Sequence, residues 1–191
     1  MYLNKQYLIQ NLGQKVLDGH QLDCAQVLSL LKVEGAETFD LLSWANRIRQ
    51  HFKGNRIHLC SIVNAKSGGC SEDCTFCAQS THYETESPVY KFLDQQTIDE
   101  ASQTAERNKA QALGLVAAWR GLKEGKMLDQ VCQRIEDLSQ SGRVRADASL
   151  GLIESKNVAQ RLKEAGLSVY NHNLETASSF FDQICTTHTH Q

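Results

Sequence analysis

Ile57-His58-Leu59-Cys60-Ser61-Ile62-Val63 runs into Ser67-Gly68-Gly69 and then into Cys70-Ser71-Glu72-Asp73-Cys74-Thr75-Phe76-Cys77. The first run is short, apolar and rich in β-formers, so it reads as a buried strand. Two glycines open the loop behind it, and glycine lets a backbone approach a ligand closely. The cysteines are spaced C-x3-C-x2-C. Thiolates hold iron–sulfur clusters, usually four to a cluster. Three such neighbours can bind three corners of a four-iron cluster and leave one iron open to a small molecule. Structural metal sites are normally closed, so an open set points to a cofactor.

Other readings of the loop exist. A structural zinc would need a fourth ligand, and Cys60 upstream or His82 downstream could supply it. A disulfide framework is disfavoured, because the chain has seven cysteines, an odd number, and is not small. Cys24, Cys132 and Cys185 lie in helical or connecting stretches and read as small apolar residues. His188 and His190 near Cys185 invite a metal, but the sequence shows no further ligand and terminal tails usually fray.

At 191 residues the chain can bury a real core. Charged residues make up 22% and hydrophobic residues 41%, an ordinary globular balance. A net charge of −2 gives no nucleic-acid footprint. No apolar run approaches the roughly 20 residues that span a bilayer, and the first residues lack a signal-peptide core. A cytoplasmic location is expected, which suits free thiols.

Outward from the loop, the pattern alternates. Before it, residues 1–54 read as helices, stopped by Lys53-Gly54-Asn55. After it, helices are expected over Thr97–Gln111, Met127–Leu138 and Ser155–Ala165, with strands over Leu113–Ala118, Arg145–Leu150 and from Leu167 to about Leu174. A last helix begins near Ala177. Strand alternating with helix argues for βαβ units and a parallel sheet. In βα barrels the active loops leave the C-terminal ends of the strands. The cysteine loop and Asn171-His172-Asn173-Leu174-Glu175 both occupy such ends.

A C-x3-C-x2-C loop after the first strand of a βα barrel resembles the radical S-adenosylmethionine (SAM) enzymes. Asn64-Ala65-Lys66-Ser67-Gly68-Gly69-Cys70, Cys77-Ala78-Gln79-Ser80 and Tyr170-Asn171-His172-Asn173-Leu174-Glu175-Thr176 resemble the biotin synthase family within them. The resemblance implies an α/β, TIM-type barrel over residues 55–191, with about the first four βα units present, behind a helical segment over residues 1–54. It implies a 4Fe–4S cluster on Cys70, Cys74 and Cys77, whose open iron takes SAM. SAM cleavage would yield a 5′-deoxyadenosyl radical that draws hydrogens from dethiobiotin before sulfur insertion. Phe76 would lie beside the adenine, and Val116 to Ala118, Ala117 among them, near the methionine end. Asn173 and Glu175 would bind the ribose, and Asn171 with Asn173 the ureido ring. A flavodoxin- or ferredoxin-type electron donor and a homodimer are further expectations.

Each of these roles has a plainer alternative. Asn171 and Asn173 could cap the next helix, and Phe76 could be core. The chain also departs from the family. Many members hold a second, 2Fe–2S cluster as sulfur source. Ala117-Ala118-Trp119 and Ser149-Leu150-Gly151 align its usual cysteine positions with Gly114 and Asp147, and neither residue replaces a thiolate. Either sulfur comes from another source or the function has decayed. About four strands, where the family has eight, also suggests a truncated enzyme with two open sheet edges. A catalytically incomplete fragment that binds a cluster or partner is therefore an alternative. So is another radical SAM enzyme, such as a hydrogenase-maturase relative.

Overall fold

A computed structural model describes residues 2–190, with side chains from residue 5 onward. The chain divides into two compact units, Met1–Ile57 and His58–Gln191. The first holds α1 (Tyr2–Leu17), α2 (Cys24–Leu31) and α3 (Glu37–Lys53). Asp23 and Gln26 form a reciprocal capping box that starts α2. Gly54, at φ +62°, ends α3 where the sequence places the stop.

The second unit is built on a parallel sheet. Its strands are β1 (Cys60–Lys66), β2 (Ala112–Ala117), β4 (Arg145–Ser149) and β6 (Val169–Tyr170), paired in that order. Helices α4 (Gln95–Arg107), α5 (Lys126–Ser141) and α6 (Lys156–Glu164) connect them. Each strand lies beside its predecessor, the winding of a βα barrel rather than of a doubly wound sheet. Two short strands, β3 (Gly121–Leu122) and β5 (Leu152–Ile153), pair in parallel just beyond β2 and β4. Only part of a barrel is present.

One sheet face carries the core. Leu113, Leu115, Ala146 and Ala148 pack with Ile98 and Ala105 of α4, Leu128, Val131, Ile135 and Leu138 of α5, and Val158 and Leu162 of α6. The α5 positions recur at helical spacing, which is why that helix has one apolar side. Asp94 and Ser155 cap α4 and α6 through backbone N–H groups of Thr97 and Asn157.

Several sequence expectations shift. The first strand begins at Cys60, three residues later than expected, and Ile57 and Ile62 are 73% and 71% exposed. An apolar run signals a strand but not which of its faces is covered. The fourth main strand has only two residues, Val169 and Tyr170. The last helix is a 3-10 turn over Ser178–Gln183.

Candidate functional site

The cysteine loop starts where β1 ends, and backbone bonds fold it onto itself. Cys70 N donates to Gln79 O at 3.0 Å, and Thr81 N donates to Cys70 O at 2.8 Å. Cys77 N donates to Cys74 O at 2.9 Å. The Gln79 side chain accepts from Ser67 Oγ at 2.9 Å and from Gly68 N at 2.5 Å. Gly68 sits at φ +66°, and a Cβ there would lie 2.6 Å from Val89 Cγ2, so this turn needs glycine. Lys66 Nζ donates to Gly68 O at 2.5 Å and to Ala118 O at 2.6 Å, which ties the loop to the end of β2.

The segment after the 3-10 turn straps this loop from outside. Thr75 N donates to Ile184 O at 2.9 Å. The Asp73 carboxylate accepts from Thr186 N at 2.8 Å and from the Thr186 and Thr187 hydroxyls. These bonds hold the Asp73 carboxyl well below the usual carboxylate range. Glu72 is buried. Burial pushes its carboxyl up, but bonds from Thr187, His188 and Arg120 outweigh it and hold the group ionised. Arg120 also donates to Thr187 O at 2.7 Å. The tail is thus tied down, contrary to the expectation that it frays. Cys185 is 2% exposed, and its Sγ lies 3.8 Å from Cys74 Sγ.

A cleft of about 600 Å³ opens beside the loop, within the range of small-molecule sites. Cys70, Cys74 and Cys77 line it, together with Phe76, Ala117, Asn173 and Glu175. Ile62, Asn64, Ser149, Arg120 and His172, to which the sequence assigned no role, line it too. Phe76 is 59% exposed, so it is not core. Asn171 is exposed and lies outside the cleft lining. Neither asparagine caps the 3-10 turn, whose N-cap is Ala177 with no side-chain bond. Glu175 takes φ +61°, a region that non-glycine residues enter at a cost and often at functional sites.

The three loop thiols are not drawn together as a single zinc ion would draw them. Burial raises the Cys70 thiol, and burial with the Cys185 contact pushes Cys74 up to about 12. Metal loading must displace these protons. Zinc would draw thiolates to about 3.8 Å from one another. Among the described residues, ligand atoms within 4.8 Å of one another occur at Glu72, Cys185 and His188, not at the three loop thiols. Cys60 begins β1 and the loop leaves its other end, so Cys60 cannot complete a zinc site. His82 Nε2 is engaged instead with Ser71 O at 3.1 Å.

The Radical SAM superfamily model matches residues 65–191, from the end of β1 onward. The chain belongs to the radical SAM superfamily. Among curated radical SAM relatives, the biotin synthase of Geotalea uraniireducens (strain Rf4) is 39% identical over 183 residues, 96% of this chain and 55% of that protein. The biotin synthase of Trichlorobacter lovleyi is 44% identical over 180 residues, 94% of this chain and 54% of that protein. The chain therefore spans about half the length of the curated relatives it matches. A crystal structure of HydG, a maturase of the [FeFe]-hydrogenase, superposes with a TM-score of 0.72 at 17% identity, over 97% of this chain and 41% of that one. At that identity the likeness speaks for the radical SAM fold alone. No described helix is long and apolar enough to cross a membrane.

Proposed function

We propose that this chain carries the SAM-cleaving site of a biotin synthase-type sulfur insertion, with dethiobiotin as substrate. The observation that carries the reading is the set of three loop cysteines lining one cleft together with Asn173 and Glu175. Relatives named biotin synthase, at 37% to 44% identity, support the substrate.

Cys70, Cys74 and Cys77 would hold the 4Fe–4S cluster. When bound, that cluster supplies the electron that cleaves SAM and the open iron that anchors it. The protein binds, orients and shields. Phe76 offers an exposed ring to the adenine. Ala117 lets the methionine end approach β2. Asn173 and Glu175 take the ribose hydroxyls. A ureido ring needs donors and acceptors, which amides provide. Asn173 faces the cleft for that role, and Asn171, outside the lining, would act only from its rim.

On the family resemblance, the usual cysteine positions of a second iron–sulfur cluster would fall on Gly114 and Asp147, which argues against that cluster here. Gly114 and Asp147 stand side by side across β2 and β4. The first has no side chain. Asp147 is buried and bound through both oxygens to Arg145, at 2.8 and 2.7 Å. Sulfur would come from elsewhere, and the reductant would be of the flavodoxin or ferredoxin type. The exposed inner face of β1 favours a second reading, in which this chain, acting alone, loads a cluster and binds SAM without converting dethiobiotin.

Anaerobic reconstitution with iron and sulfide, followed by dithionite, SAM and dethiobiotin, tests both readings. Formation of 5′-deoxyadenosine that is lost in Cys70→Ser, Cys74→Ser and Cys77→Ser supports the SAM site. Biotin in the same tube supports the full reaction. A loaded cluster with no 5′-deoxyadenosine overturns the SAM-cleaving proposal.

A further inference from the structure

The strap brings three Lewis bases to one point outside the cysteine loop's own set. His188 Nδ1 lies 2.5 Å from Glu72 Oε2 and 3.2 Å from Cys185 Sγ. All three ligand atoms lie within 4.8 Å of one another. Glu72 and Cys185 are buried, and His188 is half-buried. One cation can take all three atoms as ligands.

We propose that Glu72, Cys185 and His188 form a binding site for a single divalent cation of the zinc class. One thiolate, one imidazole and one carboxylate are a borderline-soft set that suits zinc rather than magnesium or calcium. Zinc accepts three protein ligands and an open fourth position. The neighbours are compatible. Thr187 Oγ1 donates to Glu72 Oε2 at 2.7 Å and orients it, as outer-shell partners of metal ligands do. Arg120 Nη1 lies 3.3 Å from both Glu72 oxygens, and Ser71 Oγ lies 3.4 Å from Oε1.

The His188–Glu72 distance needs an adjustment. Tetrahedral zinc sets nitrogen and sulfur about 3.5 Å apart and nitrogen and oxygen about 3.3 Å apart. His188 and Glu72 would part by under about 1 Å to admit it, while Cys185 and His188 are nearly in place. Glu72 belongs to the cysteine loop, and Cys185 and His188 to the strap. The ion would therefore clamp the strap onto the loop while using none of Cys70, Cys74 and Cys77.

The metal-free 191-residue chain, titrated anaerobically with zinc against a chromophoric chelator, tests the site without reference to turnover. Cys185→Ser and His188→Asn should each bind one equivalent fewer than the native chain, or bind that equivalent more than about 100-fold more weakly. Cobalt in place of zinc should show a thiolate charge-transfer band that survives Cys70→Ser/Cys74→Ser/Cys77→Ser and disappears when Cys185→Ser is added. Both single variants binding zinc as the native chain does would overturn the proposal, whether or not the triple variant folds.

Discussion

The two faces of one sheet are built to different standards. On the outer face, Leu113 and Leu115 of β2 are completely buried under α4 and α5. On the inner face, Ile62 of β1 stands beside Gly114, and Ile62 is 71% exposed. The inner face is finished only along its rim, where the cysteine loop, the strap and the ends of β2 and β4 are cross-linked by Lys66, Arg120 and Asp73. The outer face makes the fold stable and the inner rim makes it chemical. The two can therefore be damaged separately.

The largest effect is expected on the outer face. Leu115→Ala removes a fully buried side chain from the centre of the core and should destabilise the second unit by about 2–5 kcal/mol. Urea unfolding of the metal-free chain reads this as a lowered midpoint at unchanged slope. A loss under about 1 kcal/mol would mean that the helices do not close on β2 as described.

That outer face was readable from sequence because its signals are local and periodic. Leu128, Val131, Ile135 and Leu138 recur at helical spacing, and the apolar β2 run sits between two such helices. The three loop cysteines were readable for the same reason, being eight residues end to end. The rest of the rim was not. Glu72 meets His188 across 116 positions and Arg120 across 48, and no pattern along the chain joins them. In the sequence His188 and His190 beside Cys185 invite a metal but show no further ligand; the carboxylate that His188 meets lies inside the cysteine loop. The early placement of β1 has a different cause. Ile57 and Leu59 are as apolar as core residues, and hydrophobicity does not record whether anything covers them.

An intermediate effect is expected where β6 meets the rim. Tyr170 Oη donates to Gly151 O at 2.6 Å. Gly151 takes φ +72°, and a Cβ there would lie 2.4 Å from Arg120 O, so the bond anchors a turn that only glycine can make. Tyr170→Phe should lose about 1 kcal/mol at neutral pH. Burial pushes the Tyr170 hydroxyl up to about 12 from an ordinary value of 10. A raised value in the folded state means the neutral hydroxyl is favoured by folding. Its contribution is fully present below pH 10 and is lost as pH rises toward 12. The native chain should weaken over that window relative to Tyr170→Phe, and parallel stability curves for the two would refute the assignment.

The smallest effect, and the most discriminating, belongs to Ile62. It lies one residue from Val63, which packs against the outer core, and strand alternation turns it to the other side. Because Ile62 is already mostly in solvent, Ile62→Ser removes little buried surface and should change stability by no more than about 0.5 kcal/mol. A measured loss approaching that of Leu115→Ala would mean that the inner face is covered in solution. The concentration dependence of unfolding then identifies the cover, because a second copy of the chain makes the midpoint rise with protein concentration and a segment of the same chain does not. A null result on Ile62 beside a large one on Leu115 would establish that the helix-covered side alone carries the fold's stability, and that the cleft beside the cysteines is open to whatever binds there.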